Sequence, residues 1–274
     1  MDAAAVEQEA AALRVGTWNL NGRTRGDRAG LRDAVQSQAL DVLLLQEVRP
    51  SAFKEFAADF DDAAFSLDLE RKDGETNGRH GCAILVRGPV RLLDDGVDLV
   101  YRLPQPERGL VARASWGNHR LDLLSWHSAN AAQHGPQVKD QAYRAIIDVL
   151  AGWGDTGVAG MDTNFPSDPV DLQAADEAET RPEWRFHFDL LGPSPQHDLV
   201  DAARALLERE PSSLGVIPAA GPLAKTYRAG VHDVRFDRLL VTRDIRVAAI
   251  EHLYDEVVPA YSDHALLVAA LTIG

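Results

Sequence analysis

The run Val42-Leu43-Leu44-Leu45, entered from Asp41 and left through Gln46 and Glu47, narrows what this chain can become more than any other feature. An unbroken apolar run of strand length offers no side to water, so it belongs in a sheet covered on both faces. Arg14–Leu20, Gly81–Arg87, Leu110–Trp116, Arg120–Trp126, Val158–Gly160, Phe236–Thr242, Val247–Leu253 and His264–Ile273 also read as strands. Gly117-Asn118 reads as a hairpin turn between two of them. Helices fall between. Asp27 can cap one running to about Ala39, with Leu31, Ala34, Val35 and Leu40 on one face. Pro50-Ser51 opens a short one to about Phe60, and Pro136 opens one to about Trp153. Another begins at Asp198 or Asp201 and runs to about Arg209. Phe165–His197 is long, polar and rich in proline, and reads as an irregular active-site loop. Strands and helices mix without strict alternation, which predicts an α/β fold of two packed sheets flanked by helices.

With 274 residues the chain has room for one large α/β domain or two small ones. No linker, repeat or low-complexity block divides it, so a single domain over 13–274 is expected after a tail at 1–12. The net charge of −14 and pI near 5.0 argue against gripping duplex nucleic acid over a broad basic face. A nucleic acid held locally, or a small phosphorylated substrate, remains compatible. Cys82 is the only cysteine, which excludes an intramolecular disulfide, and it reads as a small buried hydrophobe. Met1–Leu13 lacks the basic start of a conventional secretory signal, and no apolar run approaches membrane-spanning length. The expectation is a cytoplasmic protein without membrane insertion. Nothing in the sequence indicates a protein partner.

Polar groups gather where the apolar runs stop. Asn19 and Asn21 close the first, Glu47 the second, and His127 the run Leu123–Trp126, with Asn130 three residues on. Asp162 and Asn164 follow Gly160-Met161, and Asp237 opens the run before Arg238-Leu239-Leu240. Ser262-Asp263-His264 precedes the last. Polar groups at strand ends are how α/β proteins build sites. Acidic, amide and imidazole groups in this number suggest a carboxylate-bound hard metal with histidines beside it, equipment for phosphate ester hydrolysis. Simpler readings stand alongside: Glu47 paired with Arg49, Asn21 turning the chain before Gly22, Asp162 in a turn, Asp237 paired with Arg235 or Arg238.

Taken in order, Thr17-Trp18-Asn19-Leu20-Asn21-Gly22, Leu45-Gln46-Glu47, His127, Gly160-Met161-Asp162-Thr163-Asn164, Asp237 and Ser262-Asp263-His264 resemble the endonuclease/exonuclease/phosphatase superfamily, the group with the deoxyribonuclease I-like fold. The resemblance runs from about Leu13 to Leu271. It implies a four-layer α/β sandwich and a Mg²⁺-dependent phosphodiesterase, with Mn²⁺ as a substitute ion. Glu47 then matches the metal-binding glutamate, and Asn19 the asparagine that helps hold metal or phosphate. Asn21 lies where some members carry an aspartate, and Asp263 falls near the metal. Asp162 would orient or deprotonate the attacking water, and Asn164 would donate to a phosphate oxygen. The family pattern Gly-Asp-X-Asn carries one inserted residue here. His264 falls beside the scissile phosphate, with Asp237 orienting it. His127 is a phosphate contact or acid, and Asn130 and His80 are candidate substrate contacts. The partner implied is a phosphate-ester substrate, either a nucleic acid or a small molecule. Alternatives are a phosphomonoesterase of a small metabolite or lipid headgroup, and a binding module of the same fold without chemistry.

Overall fold

A computed structural model describes residues 12–22, 28–68, 80–94, 102–154, 156–165, 185–192, 194–211, 224–257 and 262–273. The first sheet holds β1 (Leu13–Asn19), β2 (Val42–Val48), β3 (Asp62–Phe65), β4 (Gly81–Val86), β13 (Ile245–Leu253) and β14 (Leu266–Ile273), in the order β13-β14-β1-β2-β4-β3. The second holds β5 (Val90–Leu92), β6 (Gly109–Trp116), β7 (His119–His127), β8 (Thr156–Asp162), β9 (Val200–Asp201) and β12 (Asp237–Val241), in the order β5-β6-β7-β8-β12-β9. A two-stranded ribbon, β10 (Tyr227–Ala229) and β11 (His232–Val234), stands apart. Both sheets are mixed: β1 runs parallel to β2 and β7 parallel to β8, while their other pairings are antiparallel.

The helices are α1 (Arg28–Ser37), α2 (Pro50–Ala57), α3 (Ala131–His134), α4 (Pro136–Ala151), α5 (Arg185–Leu191), α6 (Ala202–Arg209) and α7 (Tyr254–Val257). Side-chain alternation along β2 shows the layering. Val42 and Leu44 join the core between the sheets, whereas Leu43 and Leu45 pack with Leu31, Val35 and Phe56 of α1 and α2. On the other side Leu121 and Leu123 of β7 face the shared core, while Leu124 and Trp126 pack against α4 and α5. The result is the expected four layers: helices, sheet, sheet, helices. None of the helices described is long and apolar enough to cross a membrane.

Several boundaries differ from the sequence reading. Val158–Gly160 is the middle of a longer strand, β8, which runs on to Asp162 itself. His264 lies outside the closing strand. It makes an isolated bridge to Tyr227, and β14 starts at Leu266. The helix expected to reach Phe60 ends at Ala57. The stretch read as irregular contains α5, which buries Phe186, His187, Leu190 and Leu191. Residues 166–184 of that stretch, Asp27 and the tail at 1–11 lie outside the described residues. Asp201, not Asp198, caps α6, accepting from the Ala203 and Arg204 amides. The hairpin turn at Gly117-Asn118 is present, with Gly117 at φ 58° and Trp116 paired to His119.

The two sheets approach closely at Gly160, over a small polar cluster. A Cβ built on Gly160 would lie 2.5 Å from Thr17 Oγ1 and 2.9 Å from Leu44 Cδ1, so only glycine fits on β8 here. Beside it the fully buried Gln46 sends Nε2 toward Thr17 Oγ1 (3.1 Å), Ser125 Oγ (3.0 Å) and the Gly160 carbonyl (3.4 Å). Ser125 in turn donates to the Leu45 carbonyl at 2.7 Å. One side-chain amide thus bridges both sheets. Gly160→Ala is expected to cost about 1–3 kcal/mol through overpacking, read as a lower urea midpoint with unchanged slope.

Candidate active site

The polar cluster and the candidate site are one construction. Thr17, Ser125 and Gly160 each lie two residues before Asn19, His127 and Asp162, so pleat alternation sends all three site residues into the same gap between the sheets. Glu47 is the exception. It follows Gln46 directly and by alternation would turn outward toward α1 and α2. Its φ is 51°, and the register with β4 shifts between Leu45 and Val48, which brings the carboxylate inward to 3.3 Å from His127 Nε2. Among the described residues four non-glycine positions have positive φ: Asn21, Ala39, Glu47 and Asn164. Three of these four are site candidates. Such conformations cost energy and persist where the surroundings enforce them, typically at functional sites.

Asp162 sits at the centre, almost wholly buried. Its Oδ2 accepts from Asn19 Nδ2 at 2.7 Å, and its Oδ1 from the Asn164 amide at 2.8 Å. Asn19 also accepts from the Asn21 amide at 2.8 Å, which fixes the tight turn. The Asn164 side chain lies 3.1 Å from His127 Nε2 and donates to the Ser128 carbonyl at 3.0 Å. The segment carrying Asp263 and His264 has no ladder to hold it. Side chains do so instead: Ser262 donates to the Asn19 carbonyl (2.7 Å), Trp18 to the His264 carbonyl (3.0 Å) and Asn21 to Asp263 Oδ2 (2.7 Å).

Two histidines flank Asp162 in opposite electrostatic settings. His264 Nδ1 is 2.9 Å from Asp237 Oδ2, and its Nε2 is 3.9 Å from Asp162. Burial lowers its pKa, but Asp237 and Asp162 outweigh that and lift it to about 10. Burial also raises the Asp237 carboxyl, while His264 opposes this. His264 is therefore the protonated member. Arg235 and Arg238, the alternative partners read for Asp237, both approach Asp201, at 2.7 and 3.6 Å. His127 is pressed the other way: burial, then the Arg108 guanidinium, lower it to about 3 despite Asp162. Arg108 Nη1 lies 2.9 Å from His127 Nδ1. Arg108 Nη1 also stands 3.3 Å from Nε2 and Asn164 Nδ2 stands 3.1 Å from it, so donor groups face both ring nitrogens, while the Glu47 carboxylate approaches Nε2 at 3.3 Å. Asp162 itself is lowered: burial pushes it up, but His264, His127 and the hydrogen bonds from the Asn164 amide and Asn19 together outweigh the burial. Glu47 is raised by burial and by Asp162.

The remaining candidates fall around this centre. Asn130 Oδ1 accepts from the Ala132 amide at 2.9 Å and so caps α3, a local role its sequence position did not suggest. His80 accepts from Arg49 Nε at 3.1 Å. Arg49, read as a partner for Glu47, thus engages His80. A cavity of about 590 Å³ opens beside the site, lined by Asn21, Glu47, His80, Gly81, Cys82, Gln105, Glu107, Arg108, His127, Gln133 and His134. Cys82 is no nucleophile there, since burial pushes its thiol up to about 12. Arg108 and His134 carried no sequence motif. Arg108 follows a short 3₁₀ turn, Pro106–Arg108, and only the pairing of β6 with β7 brings it to His127.

Two groups of donors could receive a cation. Asp162, Asp237 and His264 place one atom each within 4.8 Å of one another. The proton that His264 carries beside Asp237 offsets one of the two negative charges of that group. Glu47 and Asp263 are more open, their side chains 24% and 35% exposed. Asp263 Oδ1 makes no hydrogen bond among the described residues. An oxygen-only donor set of this kind, with the Asn19 and Asn21 amides alongside, fits a hard divalent ion.

A family model described as the endonuclease/exonuclease/phosphatase family matches residues 16–264. A search of curated protein sequences finds no match. Among solved structures, D. rerio TDP2 complexed with single strand DNA product is 15% identical with a TM-score of 0.67, covering 95% of this chain and 99% of that one. The Xenopus laevis APE2 catalytic domain is 17% identical with a TM-score of 0.67, covering 94% and 91%. An endonuclease/exonuclease/phosphatase from Bacteroides vulgatus is 16% identical with a TM-score of 0.64, covering 96% and 100%. At these identities the structures speak for the fold, and the family model speaks for descent. The chain belongs to the endonuclease/exonuclease/phosphatase family.

Proposed function

We propose that this protein is a Mg²⁺-dependent phosphodiesterase acting on a small or single-stranded substrate. Members of its family are hydrolases of phosphate esters. The observation that carries the finer reading is the pair of histidines around Asp162, one held protonated and one held neutral. Environments that push like groups apart assign acid and base roles. Residues 13–274 are taken as one catalytic domain, a reading supported by β14 completing the sheet beside β1.

Glu47 and Asp263, with the amides of Asn19 and Asn21, would hold Mg²⁺, or Mn²⁺ in its place. Bound there, the ion supplies positive charge to the phosphoryl and leaving oxygens. The chain's own groups do the rest. Asp162 is ionised and fixed by Asn19 and the Asn164 amide, so it can orient a water and take its proton. Asn164 Nδ2 is a donor for a phosphoryl oxygen, and the neutral His127 ring stands beside it as a phosphate contact. The His264 imidazolium, tethered by Asp237, meets the charge that builds up as the ester bond breaks. The −14 net charge and the confined cavity favour a nucleotide-sized or single-stranded ligand. The single strand DNA product in the D. rerio TDP2 structure supports the same class. One observation favours the monoesterase reading: Arg108 forms no ion pair among the described residues, and a dianionic phosphate would match it.

The deciding measurement compares hydrolysis of bis-p-nitrophenyl phosphate and p-nitrophenyl phosphate, with Mg²⁺ and with EDTA. Diester cleavage that EDTA abolishes is expected. Cleavage of the monoester alone makes the protein a phosphatase instead. Glu47→Gln should lose roughly 10- to 100-fold in metal affinity or activity, and an unchanged calorimetric Mg²⁺ affinity would remove Glu47 from the metal site.

The dyad gives a second expectation. Asp237→Asn and His264→Ala should each lower kcat by about 10²- to 10⁴-fold, with the double variant little worse than the poorer single. Additive losses on the barrier would show that the two residues act independently.

A further inference from the structure

Asn164 holds a left-handed backbone, φ 48°, one residue beyond a point where both neighbouring carbonyls are gripped from the same helix. Lys139 and Tyr143 lie one turn apart on α4, so they share a face. Lys139 Nζ donates to the Asn164 carbonyl at 2.7 Å, and Tyr143 OH to the Thr163 carbonyl at 2.6 Å. Both side chains are buried, Lys139 at 6% exposure and Tyr143 at 0%. The Tyr143 ring is itself wedged edge-on between Trp126 and Phe186, at 5.0 and 4.9 Å. Thr163 is tied from its other side, its amide donating to the Phe236 carbonyl at 3.0 Å.

The ammonium is the feature that requires an explanation. Among the described residues Lys139 forms no ion pair, and a buried charge without one is costly compared with an apolar side chain of the same length. Its ammonium meets the Asn164 carbonyl, and the Tyr143 ring lies 5.7 Å away. A methionine would fill the same space. What it would lack is a donor for the one carbonyl that a left-handed residue turns away from the strand ladder.

We propose that Lys139, supported by Tyr143, is a positioning residue of the hydrolytic site: it pins the Asn164 carbonyl, so that the Asn164 amide stays on Asp162 and its side chain stays beside His127. The inference rests on the phosphoester-hydrolase reading of the same site. It gives the reaction a need for a protonated group that is lost at lower pH than the His264 imidazolium. Burial lowers Lys139 to about 8, with Asp162 pulling upward. The titratable or charged groups facing it are Asp162 from β8, His187 from α5 and Tyr143 on its own helix. The clamp is complete below pH 8 and weakens as pH rises through that value.

The test uses the full chain with Mg²⁺ and bis-p-nitrophenyl phosphate, for wild type, Lys139→Met and Lys139→Arg. Lys139→Met should keep or raise the unfolding temperature yet lower kcat by about 10- to 100-fold, with KM little changed. Its Asn164 amide should exchange hydrogen about tenfold faster. Lys139→Arg should restore most of the rate and remove the decline near pH 8, leaving the loss near pH 10 that belongs to His264. A Lys139→Met variant with wild-type kcat, or a decline near pH 8 that survives in Lys139→Arg, overturns the proposal. If wild type cleaves no phosphate ester, the functional reading fails instead. The clamp is then judged on Asn164 exchange alone, and unchanged exchange in Lys139→Met overturns it.

Discussion

Everything at the active centre depends on how closely two sheets can approach at one spot. Backbones of facing sheets normally stand about 10 Å apart, separated by two layers of side chains. At Gly160 one of those layers is missing, and Thr17 fills the space. Closing the gap there strands the polar ends of β1, β2, β7 and β8 within hydrogen-bonding distance of one another. The Gln46 amide compensates for the buried polar groups this creates, although its own Oε1 finds no partner among the described residues. A half-satisfied amide in a dry core is unfavourable. It is retained at the point where the site needs its register fixed.

From that anchor the site is assembled by small departures from regular geometry. Alternation alone aims Asn19, His127 and Asp162. Glu47, Asn21 and Asn164 reach the centre only by adopting left-handed backbone. The favourable terms that hold these residues are local: the Asn19 side chain on the Asn21 amide, the Asp162 carboxylate on the Asn164 amide, the Asn21 side chain on Asp263. Asn21 and Asn164 are therefore each held by another member of the site. Substituting one relaxes its neighbours, so energetic effects here will not add.

Much of this was legible in the sequence, and the part that was not has physical reasons. Apolar runs gave the strands because burial on both faces leaves no room for polar residues, as in Leu43–Leu45. Strand-end polar residues gave Asn19, Glu47, Asp162 and Asp237 by position. The short strands β3, β5, β9, β10 and β11 carry too few residues for a period to register. α5 was hidden in a stretch whose prolines and charges suggested a loop, and its helical face shows only once α4 is there to pack against. His264 was read into the last strand because alternation continues into it, yet the bond from Ser262 to Asn19 holds it outside the ladder. Arg108 and Lys139 had no sequence signal. Their roles arise from what tertiary packing puts across from them, a histidine ring in one case and a carbonyl in the other.

The bond from Trp18 to the His264 carbonyl joins residues 246 apart in the chain. β1 also takes β14 as one of its two neighbours, so its edge stays unsatisfied until β14 has been synthesised. Folding must therefore close a loop of nearly the whole chain before the first strand is complete, which makes it slow and dependent on long-range contacts. On the ribosome, the growing chain would expose the apolar edge of β1 throughout, an invitation to chaperones or to misassociation.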